Sequence, residues 1–206
     1  MVIIPGSTVM NVAGKRSKLG PLILSEGVWY GFVPAHSFKD DKRVVQSGSD
    51  LLVGEVVPQS VLRTGDRFPP ITESLRLMRF YSYAPVKVGK DVRVRCVDPL
   101  DVFPDGILLK NDAMAKTACK IVSLDGPFAM NTSDGVKTYS GAFGIKADGI
   151  GVVLATEGDG GASIVTRRGD LVGVLIGVAA DTFFCVPGNE LMARFFPSFD
   201  NLEMVA

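Results

Sequence analysis

The residues best suited to chemistry in this sequence form a glycine-rich segment in the last third of the chain. It reads Gly158-Asp159-Gly160-Gly161. Glycines allow a turn in which successive backbone N–H groups point to one side, where they can stabilise the oxyanion of an acyl-transfer reaction. We therefore expect an oxyanion hole formed by Gly158, Asp159 and Gly160, with the Asp159 side chain held by neighbouring backbone and its N–H free. The alternative is a glycine-rich turn between two strands.

The only histidine, His36, is the candidate general base. It follows the apolar run 28–33 within the segment Val-Pro-Ala-His-Ser-Phe. A general base needs a near-neutral pKa and a fixed orientation, and a histidine on a short turn after a buried strand meets both needs. A lone histidine is more often a surface or structural residue. Its position after an apolar strand, far upstream of the glycine segment, favours the catalytic interpretation.

Composition sets the broad class of the protein. The chain has 206 residues, enough for one large domain or two small halves that share a core. Its 22 Lys and Arg residues balance 22 Asp and Glu residues, so no overall field attracts nucleic acid or a membrane surface. No apolar stretch is long enough for a membrane helix, and the first residues lack the pattern of a signal peptide.

The three cysteines bear on redox compartment and metal binding. Cys96, Cys119 and Cys185 are odd in number and have no C-x-x-C spacing, which argues against both a disulfide framework and a zinc site. Free thiols indicate a reducing compartment, most simply a cytosol. We therefore expect neither a metal nor another cofactor.

Short apolar or alternating runs separated by turn residues predict an all-β fold. A linker is expected near residues 97–105, dividing the chain into halves 1–97 and 98–206. Residues 34–38 are predicted to form a short turn and residues 189–196 a helix. The predicted strands are 22–24, 28–33, 51–57, 75–80, 92–97, 119–122, 151–154, 163–165, 171–176 and 182–186.

The order of these motifs resembles the picornavirus-type 3C-like cysteine proteases. The resemblance spans roughly residues 20–196. It implies a chymotrypsin-like double β-barrel with a short C-terminal helix, six strands in each barrel, and His36 facing residue 160. In that family the loop reads Gly-Asp-Cys-Gly or Gly-Gln-Cys-Gly, so Gly160 stands at the position of the cysteine nucleophile.

The family also implies an acid that orients the histidine. Glu73 is the preferred candidate, because it opens the alternating run 75–80 and leaves enough chain for a hairpin between base and acid. Asp50 is the alternative. It precedes an apolar run, as family acids do, but the chain between it and His36 is long enough for little more than one strand.

The resemblance also bears on specificity. Relatives that cleave after Gln carry a His in a Gly-Xaa-His-Xaa-Gly pattern, and here Leu175 stands at that position between Gly173 and Gly177. A Leu there resembles the nepovirus group and predicts no strict Gln requirement. Thr156 is a candidate pocket hydroxyl. The strand through Ile176, Gly177 and Val178 is expected to pair with extended substrate.

Two functional classes follow from the sequence. The first is a viral polyprotein-processing endopeptidase in the host cytoplasm, inactive here because Gly160 replaces the nucleophile, with polyprotein segments as substrate. The second is a non-catalytic protease-fold protein that acts as a binding or structural module. Weak RNA binding is a further expectation. It rests on the basic cluster Lys87, Lys90, Arg93 and Arg95, although acidic residues interleave there.

Overall fold

The computed structural model describes residues 2–38, 42–49, 51–58, 70–87, 95–103, 106–110, 116–132, 135–197 and 202–206. The strands are β1 (Thr8–Asn11), β2 (Arg16–Lys18), β3 (Leu22–Ser25), β4 (Val28–Pro34), β5 (Arg43–Gln46), β6 (Leu52–Val56), β7 (Leu75–Phe80), β8 (Ile107–Lys110), β9 (Thr117–Thr132), β10 (Gly135–Ala147), β11 (Ser163–Thr166), β12 (Leu171–Ala179), β13 (Thr182–Pro187) and β14 (Glu203–Val205). One α-helix, α1, spans Gly188–Phe195.

The first sheet is antiparallel in the order β14-β3-β4-β7-β6-β5-β1-β2. It has eight described strands and not the six expected for the first barrel, because the three-residue strands β14 and β2 extend its two ends. Its two distant members β2 and β3 are separated in the chain only by residues 19–21, so the sheet must curl for both to keep their partners. The N–H of Gly20 donates to the Phe32 carbonyl at 3.1 Å and links this bend to β4. The apolar residues Val9, Leu22, Val33 and Met78 face the interior of the curl.

The second sheet is a closed barrel in the order β10-β13-β12-β11-β8-β9. Its six strands confirm the six-stranded barrel expected for this half of the chain. Strands β9 and β10 form a long hairpin with 16 and 13 residues. Apolar residues that include Phe143, Ile164 and Leu175 fill the barrel. The all-β, chymotrypsin-like double-barrel prediction is therefore confirmed.

An apolar cluster joins the two sheets. Leu75 from β7, Phe128 from β9, Ile176 from β12 and Leu191 from α1 all belong to it. Burial of such side chains is worth about 1.5–3 kcal/mol each, so the cluster strongly stabilises the contact between the halves. This contact sets where the residues of one half lie relative to those of the other.

Several details differ from the sequence predictions. Residues 151–154 form no strand, and most of their side chains are exposed, including Val152 and Val153. Of the predicted strand 92–97, residues 92–94 lie outside the described residues, and Cys96 forms an isolated bridge with Leu171. Strand β14 pairs with β3 in the first sheet, so the last residues depart from the division at residue 97. No helix among the described residues has the length and apolarity needed to cross a bilayer.

Candidate functional site

The glycine segment lies in the loop between β10 and β11, and the carboxylate of Asp159 holds the loop in place. Asp159 is only 8% exposed. Its Oδ2 accepts hydrogen bonds from the backbone N–H of Thr156 at 2.8 Å and from the Thr156 hydroxyl at 3.1 Å. Both bonds close a local turn, because Ser, Thr and Asp side chains readily bond nearby backbone. The Thr156 hydroxyl expected in the substrate pocket is thus engaged within the loop.

The oxyanion-hole prediction needs one correction. The N–H of Asp159 donates to the Thr156 carbonyl at 3.1 Å and is therefore not free. The N–H of Gly161 donates to the Leu175 carbonyl at 2.7 Å. Within the described part of the chain, the N–H groups of Gly158 and Gly160 have no hydrogen-bond partner. Two of the three expected donors therefore remain available to a ligand.

Gly160 faces His36 across the cleft between the two sheets. A Cβ atom built on Gly160 would lie 4.0 Å from His36 Cε1, 3.3 Å from Pro34 Cγ and 3.8 Å from the Ile176 carbonyl oxygen. The φ of Gly160 lies outside the left-handed region, so its backbone accepts any residue. A serine or cysteine here would bring its Oγ or Sγ close to the imidazole. The fold thus leaves room for a nucleophile that the sequence does not supply.

The next residue shows the opposite constraint. Gly161 has a φ of +99°, and a Cβ there would collide with the Lys18 carbonyl of β2. The N–H of Lys18 also donates to the Gly160 carbonyl at 2.9 Å. Strand β2 therefore packs directly against the loop and fixes the distance between loop and first sheet. The positive φ and the contact with β2 require glycine at position 161, whereas the backbone at position 160 does not.

His36 occupies a short 3₁₀ turn, Ala35–Ser37, directly after β4, as the sequence predicted. Partial burial lowers the pKa of His36 below its ordinary value, and the positive charge of Lys15 lowers it further. The Lys15 ammonium donates to the His36 carbonyl at 3.1 Å. His36 is therefore neutral at neutral pH, the state that a general base requires.

His36 has no orienting acid among the described residues. Its Nδ1 atom is buried and has no hydrogen-bond partner there. In a catalytic triad this nitrogen donates to a carboxylate, which fixes the tautomer and stabilises the imidazolium. A buried polar atom without a partner is unusual in a native protein.

The preferred acid, Glu73, is engaged elsewhere. It lies in the 3₁₀ turn Ile71–Ser74, and its Oε1 lies 3.7 Å from Arg194 Nη2 of helix α1. Arg194 also donates to the Thr72 hydroxyl at 3.2 Å. The Glu73 carboxylate thus helps to join the first sheet to α1. The alternative acid, Asp50, lies outside the described residues.

The strand register adds a residue that the sequence analysis missed. Strands β4 and β7 pair Pro34 with Leu75, so Ser74 comes one position before this pair, on the side where His36 lies. Ser74 is fully buried, and its hydroxyl donates to the Ile71 carbonyl at 2.6 Å. The position that the β4–β7 register places on the side of the His36 turn is therefore Ser74, which has a hydroxyl and not the carboxylate of a catalytic acid.

The predicted specificity residues lie on β12. Leu175, the predicted pocket residue, is 2% exposed and packs in the core of the second barrel. On one side, β12 pairs with β13 through Ala179. On its other side, β12 pairs with β11 only as far as Val174. Beyond Val174, Leu175 still makes backbone hydrogen bonds with Gly161 and Ala162. In the described part of the chain no strand covers this side of residues 176–179, which include the half-exposed Gly177 and the exposed Val178.

A cavity of about 400 Å³ opens where the loop, His36 and the β1–β2 hairpin meet. Gly158, Gly160 and His36 line it, as do two exposed cations of the hairpin, Lys15 and Arg16. Sequence reasoning missed these cations because neither belongs to a motif and the short β2 gives no clear pattern. In the proposed basic cluster, Lys87 and Arg95 are exposed, while its other two members lie outside the described residues.

The sequence matches no protein-family model and no curated protein. The fold, by contrast, matches solved structures over nearly its whole length. Thermobifida fusca Protease A has a TM-score of 0.67 at 17% identity, with 100% of each chain covered. A glutamic acid-specific serine protease has a TM-score of 0.66 at 14% identity, covering 94% of this chain and 97% of that one. Cellulomonas bogoriensis chymotrypsin has a TM-score of 0.62 at 15% identity, covering 100% of this chain and 99% of that one. The chain thus has the fold of the chymotrypsin-like serine proteases, with glycine facing its histidine.

Proposed function

We propose that this chain binds an extended peptide in the cleft between its two sheets and does not cleave it. The proposal rests mainly on one observation: the residue that faces His36 across the cleft, Gly160, is a glycine. A Cβ atom built on Gly160 would lie 4.0 Å from His36 Cε1, but glycine has no side chain with which to attack a peptide bond. The cleft itself is open, with a cavity of about 400 Å³ beside that residue.

The free edge of β12 supports peptide binding. No described strand pairs with one edge of residues 176–179, and the Ile176 carbonyl oxygen lies 3.8 Å from the Cβ position of residue 160. Adding a strand to such an edge is a common mode of peptide recognition, in which main-chain hydrogen bonds give affinity and side-chain pockets give selectivity. The side chain of Val178 is exposed and available to contact the peptide.

The surroundings of His36 support the absence of catalysis. Its Nδ1 has no partner among the described residues, and the Glu73 carboxylate is paired with Arg194. Loss of the orienting acid alone lowers turnover in a serine protease by about four orders of magnitude. The described residues therefore depart from a catalytic triad at two positions, the nucleophile and the orienting acid.

The second candidate is a viral 3C-like cysteine endopeptidase in which glycine replaces the nucleophile. Its support is the backbone of Gly160, which accepts a side chain, and the two N–H groups of Gly158 and Gly160 that remain free in the described structure. Under this alternative, the Gly160→Cys variant cleaves polyprotein-derived peptides with many turnovers, and adding His36→Ala abolishes that activity.

The experiment is a binding screen of the intact chain on arrays of synthetic octapeptides, followed by mass spectrometry of the hits after long incubation. Binding with every peptide recovered intact supports the proposal, whereas cleavage by the unaltered chain contradicts it. Gly160→Phe fills the cleft and is expected to weaken binding at least tenfold. The matched control, Arg167→Phe, adds the same bulk to an exposed turn at the far end of the β11–β12 hairpin and should leave binding unchanged.

A further inference from the structure

We propose that the cleft recognises the free C-terminal carboxylate of its peptide. This inference rests on the proposed function, because it names the part of the peptide that enters the cavity beside His36. It assigns a ligand class to the unpartnered N–H groups of Gly158 and Gly160 and a role to the two cations of the β1–β2 hairpin.

The first step concerns the N–H groups. In the described structure, those of Gly158 and Gly160 have no partner, whereas Asp159 and Gly161 use theirs within the loop and with β12. Gly158 has a φ of +94°, a conformation that turns the backbone and helps to form concave sets of N–H groups. Such sets bind anions, and capture of a terminal carboxylate by backbone N–H groups is a known mode of peptide recognition.

The second step concerns charge. Among the described residues that line the cavity, Lys15 and Arg16 are positive, Glu157 is negative, and all three are exposed. His36 remains neutral near pH 7, because burial and Lys15 lower its pKa. The rim therefore carries a net positive charge. An anionic group entering this cavity is favoured over a neutral amide, because hydrogen bonds to a charged group are stronger than those to a neutral one.

The third step concerns the direction of the chain. A peptide strand that pairs antiparallel with residues 176–179, as β11 and β13 pair with β12, runs with its C-terminal end toward residue 160, next to the Ile176 carbonyl. Lys15 and Arg16 line the same cavity as Gly160 and His36, so they lie where the peptide would continue beyond residue 160. A peptide that ends at this point leaves its carboxylate between the loop N–H groups and the two cations. A peptide that ends here places no peptide bond beside residue 160, so this mode of binding needs no nucleophile.

The test compares each array peptide bearing a free C-terminal carboxylate with the same sequence bearing a C-terminal carboxamide, using the full chain. We expect the carboxylate forms to bind at least about tenfold more tightly, since a charge-assisted contact of 1.4 kcal/mol corresponds to tenfold. The preference should shrink as salt is raised from 0.05 M to 0.5 M, because the cations are exposed.

Charge variants show where the carboxylate binds. Lys15→Gln with Arg16→Gln should reduce the carboxylate preference, measured as the ratio of carboxylate to carboxamide affinity, severalfold. Arg167→Gln with Arg168→Gln removes two adjacent exposed cations from the opposite end of the β11–β12 hairpin and serves as the matched control. Circular dichroism of each variant verifies folding.

The outcomes separate this inference from the proposed function. Equal binding of carboxylate and carboxamide peptides overturns the inference and leaves peptide binding in place, with the chain passing through the cleft. A carboxylate preference that the Lys15 and Arg16 variants do not alter also overturns it, because the carboxylate then binds elsewhere. Failure of both peptide forms to bind contradicts the proposed function itself.

Discussion

Gly160 lies so close to His36 that a Cβ atom added to it would be 4.0 Å from the imidazole Cε1, and its backbone conformation is open to any residue. The neighbouring Gly161 has no such freedom, because its φ is +99° and a Cβ would meet the Lys18 carbonyl. Two adjacent glycines therefore have different reasons to be glycine. The backbone conformation requires glycine at position 161 but not at position 160.

The first prediction compares alanine substitutions at these two glycines. Gly160→Ala should change the free energy of unfolding by less than about 1 kcal/mol, because its closest new contact, Pro34 Cγ at 3.3 Å, needs only a small shift. Gly161→Ala should lower it by at least about 2 kcal/mol, because strain at positive φ adds to the collision with Lys18. Urea unfolding of both variants measures the difference. Equal effects would contradict the described loop geometry.

The second prediction concerns reactivity. Gly160→Cys should introduce a thiol that iodoacetamide alkylates much faster than the three native thiols. Burial raises the pKa of Cys96 to about 11, that of Cys119 to about 12, and that of Cys185 well above its ordinary value. The introduced thiol lies beside neutral His36, which can accept its proton. Adding His36→Ala should slow the alkylation, and peptide mapping identifies the modified residue.

Peptide turnover by the same variant separates the two candidate functions. Because no described acid orients His36, Gly160→Cys should turn over peptides about four orders of magnitude more slowly than an intact triad enzyme. Rapid, sequence-specific cleavage would favour the endopeptidase alternative. Single-turnover and steady-state assays on the array peptides distinguish these results.

The third prediction concerns the pKa of His36, whose ring signals are easily assigned because the chain has one histidine. NMR titration should give a pKa below 6.5. Since the unfolded chain then takes up its proton first, this histidine should reduce the free energy of unfolding as the pH falls below 6.5. Lys15→Met should raise the pKa of His36 without restoring 6.5, because burial is the larger cause. A pKa above 6.5 in the unaltered chain would indicate an undetected acidic partner.

The fourth prediction tests the acid assignment. Glu73→Gln should leave the pKa of His36 unchanged, because the Glu73 carboxylate pairs with Arg194. An orienting carboxylate in contact with an imidazolium would raise that pKa by about one unit or more, and its removal would produce a matching fall. Such a fall in Glu73→Gln would restore Glu73 as the triad acid. Arg194→Met is the companion variant, expected to lower the free energy of unfolding by about 1–2 kcal/mol through loss of the contacts with Thr72 and Glu73.

The sequence was informative wherever local patterns determine structure. The apolar runs of β4, β7 and β12 and the turn around His36 were predictable because their periodicity and position carry a clear signal. Residues 151–154 look like a strand but form none, because local apolar content does not specify a pairing partner. The engagement of Glu73 by Arg194 and the approach of Lys15 to the cleft are long-range contacts, and no local pattern encodes them.

Peptide binding beside Gly160 without cleavage can be followed in a single NMR titration. A peptide selected on the array is added to the ¹⁵N-labelled chain while the peptide's own signals are followed over time. We expect shifts of the Gly158 and Gly160 amides and of residues 176–179, with the peptide signals unchanged in number after prolonged incubation. Shifts confined to other surfaces, or new signals from peptide fragments, would contradict the proposed function.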